Sequence, residues 1–189
     1  MATTQLFAEL LVIGIGAAIW LALLVGAVFG YRVEAGLPTI DTPALVALAG
    51  VAYVLGIVVD RLARKAFESV ELRLSRSILG TGGLPAPHVL EREILAASEI
   101  LGSQIQYNRS RFRICRAWVF NAAFITLAFI AWNLRVRVMG VWQGCVFAAI
   151  GVLLCTSLAW AARTLARDHY NNLKESYDFL RSRQSMQSG

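Results

Sequence analysis

Residues 109–134, RSRFRICRAWVFNAAFITLAFIAWNL, change character in the middle. Four arginines fall within eight positions, at 109, 111, 113 and 116, and the next eighteen residues carry no charge at all. A chain that sets this much charge against a run that leaves water places its two halves in different solvents. The apolar half has the roughly 17–25 residues that a helix needs to cross a hydrocarbon core of about 30 Å. The arginines then mark the boundary.

Three further runs repeat the pattern: residues 10–31, 42–59 and 138–162 are also free of charge. Of the 189 residues 57% are hydrophobic and 16% charged, where soluble domains carry about a quarter charged residues. The expected fold is therefore all-α, a polytopic membrane protein with spans at about 10–31, 42–59, 117–134 and 138–162. The segment before the first run, MATTQLFAE, has no Lys or Arg and carries Glu9, which argues for a retained span over a removable signal.

Orientation follows from the basic residues. The 60–116 segment and the tail from Arg163 hold fifteen of the eighteen Lys and Arg. With four spans, both lie on the same side as the amino end, and the positive-inside rule predicts that this side is the cytoplasm. The expected location is a bacterial inner membrane with both termini cytoplasmic. A net charge of +6 then reports topology and attraction to anionic headgroups, and no nucleic-acid partner is expected.

The 60–116 segment is too long for a turn. Leu62, Ala63, Ala66, Phe67, Val70 and Leu74 recur at spacings of three and four, so span two should continue as an amphipathic helix. The GTGGLPAP stretch, residues 80–87, should break it. Leu90, Ile94, Ala97, Leu101 and Ile105 then predict one helix running unbroken from His88 into span three. Span four should continue past Arg163 on Leu165, Tyr170, Leu173 and Tyr177, and the polar end SRQSMQSG should fray. These extensions, a 60–116 hairpin and a 163–189 tail, would form a cytoplasmic helical stalk.

On a helix Arg109, Arg113 and Arg116 share one stripe and Arg111 turns away. The stripe reads as an anchor that snorkels to lipid headgroups, or as an anion site exploiting the planar guanidinium fork. Trp118 and Trp160, with Trp132 and Trp142 at the opposite ends, suit two aromatic belts. Gly26 and Gly30 form one GxxxG pair; Gly140, Gly144, Ala148 and Gly151 form a second small-residue stripe. Such faces let helices approach closely in lipid, within one chain or between subunits. The polar groups inside the spans are Asn121, Thr126, Thr156 and Ser157, with no carboxylate at midplane of the kind a proton-coupled pump buries.

No enzyme chemistry is expected. His88 and Glu91 make an HxxE without further ligands, better read as acidic residues favouring a helix amino end. His169 beside Asp168 has no nucleophile near it in sequence. Cys145 and Cys155, about 15 Å apart along one helix, cannot bridge. No cofactor or metal is expected. The expected function is a homo-oligomeric channel or membrane effector gated by the stalk; the alternative is a non-conducting anchor or adaptor that docks a soluble cytoplasmic partner. A polar ring along a span would favour the channel; Asn121, Thr126, Thr156 and Ser157 make a thin one.

Overall fold

The computed structural model describes residues 2–31, 41–80, 86–137 and 139–187. Its five helices are α1 (Ala2–Phe29), α2 (Thr42–Leu79), α3 (Pro87–Ala97), α4 (Glu99–Val136) and α5 (Val141–Gln187). No strand occurs among the described residues. Four segments, Leu6–Phe29, Thr42–Leu79, Ile100–Val136 and Val141–Ser182, are long and apolar enough to cross a membrane. The expected break at residues 80–87 falls partly outside the described residues, as does the loop carrying Arg32. Where the chain resumes, Pro87 opens α3, its fixed φ suiting the first helical turn.

Helix ends follow from local chemistry. Gly30, at φ 71°, takes the left-handed conformation after α1, and the Tyr31 N–H reaches back to the Gly26 carbonyl at 3.1 Å. This is a Schellman ending, which favours Gly at that position. Between α4 and α5, Arg137 adopts φ 51°. Asn133 holds that turn, its carbonyl accepting from Arg137 N–H at 2.9 Å and its side-chain Oδ1 from Met139 N–H at 2.9 Å.

One expectation is corrected here. The helix from His88 does not run unbroken into span three. Ser98 is extended, at φ −154° and ψ 119°, and separates α3 from α4. Its Oγ accepts from Leu101 N–H at 3.4 Å, so it acts as the N-cap of α4, a role that suits Ser better than a helix interior. The polar tail is helical as far as it is described, with α5 extending to Gln187.

The chain divides into two units, one of residues 1–65 and 114–160, the other of 66–113 and 161–189. In the first, Ile13 and Ala17 of α1, Val59 and Ala63 of α2 and Ala117 of α4 form the core, with Trp20, Leu55 and Phe120 around it. α5 joins this unit through α4: Phe147 stacks on Phe129 at 4.9 Å, and Gly151 faces Thr126. In the second, Leu79, Leu90, Ile94, Ile105 and Leu173 bring α2, α3, α4 and α5 together, flanked by Tyr170 and Tyr177.

Candidate functional site

Two arginines of the stripe meet protein carboxylates. Arg116 is only 6% exposed and its Nη2 lies 3.2 Å from Asp60 Oδ1, joining α4 to α2 within the first unit. Arg109 donates from Nη1 to Glu91 Oε2 at 3.0 Å, joining α4 to α3 within the second. Arg113 is half-buried and also engaged. Arg111 is exposed and lies over the Tyr107 ring, 5.6 Å from its centroid. Arg116, taken out of water, thus has the paired charge that a buried guanidinium needs, while Arg109 stays 55% exposed beside Glu91. Glu9, expected at a helix end, is buried as well.

Glu91 is where the second unit concentrates its charge. One carboxylate oxygen accepts from Arg109; the other lies 3.3 Å from Nε2 of His169, a buried residue of α5. The hydrogen bond from His169 holds the Glu91 carboxyl below its ordinary value of 4.5. Burial opposes that shift, and the Arg109, His169 and His88 charges add to it. One acidic side chain therefore ties α3 to both α4 and α5. Nδ1 of His169 is buried without a hydrogen-bond partner, and its ring meets Tyr170 edge-on at 5.4 Å. Glu91 of the HxxE motif thus meets a histidine far away in sequence. Among the described residues no group of three or more His, Cys, Asp or Glu is placed to hold a metal ion.

The polar side chains of the candidate spans are largely spent inside the chain. Asn121 is fully buried; its Nδ2 donates to the Ile13 carbonyl at 2.8 Å and its Oδ1 accepts from Trp20 Nε1 at 3.3 Å. Gly16 leaves room for that amide. Thr126 donates to the Ala122 carbonyl at 2.7 Å and Thr156 to the carbonyls of Val152 and Leu153 at 3.0 and 2.9 Å. Thr156 and Ser157 are exposed on α5.

The small residues divide by role. Gly30 ends α1, and a side chain there would meet nothing within 4 Å. Gly26 receives the Trp132 indole, whose Nε1 donates to the Tyr31 carbonyl at 3.0 Å, so Trp132 is buried while Trp142 and Trp160 stay exposed. Gly144 packs on Asn133, and Gly151 on Thr126; Gly140 meets only Gln143, and Ala148 is half-buried. The closest helix crossing was not among the predicted faces. A Cβ on Gly14 would collide with the Ala52 carbonyl, and one on Gly56 with the Leu10 carbonyl. These two glycines set the α1–α2 contact. The signal for them is one glycine on each helix, which a GxxxG search within one helix passes over.

The second unit also carries a cleft of about 250 Å³ lined by Leu101, Gln104, Ile105, Asn172, Glu175 and Phe179. Around the same unit Leu72, Leu95, Ile100, Tyr107, Phe179 and Met186 are exposed. No family model matches the chain, and no curated protein or solved structure is significantly similar to it.

Proposed function

We propose that the protein is a membrane anchor whose second helical unit is a docking platform for a soluble partner on the cytoplasmic side. The observation that carries this reading is the use of intramembrane polarity. Asn121 and Thr126 are satisfied within the chain, so the residues nearest to a pore lining serve packing instead. The second unit adds a core of large aliphatic side chains, an ion network at Glu91, and large apolar residues left on its surface. Apolar surface rimmed by polar groups is the usual mark of a protein contact. α2, α4 and α5 each contribute to both units, which suits a platform held by its spans.

One observation favours the second reading, a homo-oligomeric channel or effector. Only 6% of the α5 candidate span is buried, against 17–28% for the other three, and Thr156 and Ser157 are exposed on that helix. Self-association through α5 would bring those hydroxyls together. Single-channel recording on the reconstituted full-length protein separates the two. The anchor predicts no conductance above protein-free bilayers; steps that disappear in Thr156→Val/Ser157→Ala would replace it with the channel.

A further inference from the structure

Three exposed cations lie close together on α2. Asp60 turns toward Arg116, and the buried residues of that helix near this level, Val59 and Ala63, lie on the same inner side. Arg61 and Lys65 project from the opposite side, Arg64 lies between them and Asp60, and all three are exposed. At i, i+3 and i+4 they form one cluster, and no ion pair reaches them among the described residues. Asp60 is occupied by Arg116, and the first exposed carboxylate of the outer face, Glu68, comes one turn further on, past the three cations.

The same face is apolar just before the cluster. Val54, Ile57 and Val58 are 58%, 37% and 49% exposed. Val54 is seven residues before Arg61, Ile57 seven before Arg64 and Val58 seven before Lys65, so each cation continues an apolar line two turns on. That is about 10 Å of helix at 1.5 Å per residue. An exposed hydrocarbon-facing strip ending in three donors fits an amphiphile with an acyl chain and an anionic head. Free phosphate would leave the strip uncovered.

We infer that the outer face of α2 binds an anionic glycerophospholipid, its head held by Arg61, Arg64 and Lys65 and an acyl chain lying along Val54, Ile57 and Val58. The long stems of Arg and Lys cover the acyl boundary while their charges reach the phosphate. This rests on α2 being a span, which carbonate extraction of membranes checks separately: loss of the protein to the aqueous fraction would sink the span and not merely the lipid site.

The test is native mass spectrometry of the delipidated full-length protein, titrated with phosphatidylglycerol or with phosphatidylcholine of the same chains. The expected result is preferential retention of phosphatidylglycerol, weakened roughly fivefold for each cation removed in R61Q/R64Q/K65Q. R163Q/R167Q, which removes two exposed cations of α5, should keep the preference, and inorganic phosphate should not displace the lipid. Arg64→Gln alone, expected to weaken retention roughly fivefold, carries the test if the triple variant does not fold. Equal retention of the two lipids, an equal loss in R163Q/R167Q, or displacement by inorganic phosphate would each overturn the inference.

Discussion

The two cores are built from different residues. Ile13, Ala17, Val59, Ala63 and Ala117 hold the first unit, while Leu79, Leu90, Ile94, Ile105 and Leu173 hold the second. Alanine makes up three of the five residues of the first cluster, while the second is built of leucine and isoleucine, although Ala162 and Ala166 are buried in that unit too. Water rewards burying large aliphatic side chains, at about 25 cal/mol per Å². Lipid does not, since its tails are as apolar as leucine, and helices there gain by close approach and by hydrogen bonds between them. The first unit has both: the Gly14 and Gly56 crossing, and Asn121 bonded to the Ile13 carbonyl. The proposed anchor, with its first unit in lipid and its second in water, calls for a difference of this kind.

The sharpest way to press that contrast is truncation in the second unit. Leu173→Ala should cost about 3 kcal/mol, since Leu173 is fully buried and its cavity lies among four helices. A thermal melt of the purified protein would register it. A loss well under 1 kcal/mol would mean that this core gains little from leaving water.

In the first unit the vulnerable direction is the opposite one. Gly56→Ala adds a methyl where the Leu10 carbonyl stands, and should destabilise by about 2 kcal/mol while Gly50→Ala, in open space, does not. Unfolding in mixed micelles measures both. Similar behaviour of the two variants would remove the α1–α2 crossing as a determinant of packing.

These two residues also show how much could be read beforehand. The four charge-free runs became the four long helices, because length and apolarity alone define a candidate span. Leu90, Ile94, Ile105 and Leu173 were visible as apolar positions at helical spacing. What stayed hidden depended on pairs from different helices. Gly14 and Gly56 look ordinary until α1 and α2 cross, and Glu91 looks like a helix-start acid until His169 arrives from α5. The Ser98 break was invisible for another reason: serine fits a helix or a cap, and only its extended backbone decides between them. The arginine stripe was found, but its direction depended on Asp60 and Glu91.

Smaller effects refine the comparison. Asn121→Leu should cost about 1 kcal/mol, because hydrogen bonds between membrane helices contribute modestly even when buried. A loss several times larger would place that site in a more water-like reference state. The Glu91 network should give a pH signature in the second unit alone. A carboxyl held below its ordinary 4.5 contributes stability that is present above that value and lost as pH falls through its lower native value. Hydrogen-exchange protection across α3, taken relative to the intrinsic rate at each pH, should therefore fall on acidification, and Glu91→Gln should flatten the profile at a lower level of protection. An unchanged profile in that variant would assign the acid response to other groups.

The claim beneath all of this is that the two units face different solvents, and spin-label accessibility tests it most directly. Labels at Leu153 of α5 and at Phe179 of the same helix both replace exposed apolar side chains, one in each unit. In reconstituted bilayers the label at Leu153 should be relaxed by oxygen and shielded from a water-soluble nickel complex. The label at Phe179 should show the reverse. Equal access of the nickel complex to both positions would contradict the account.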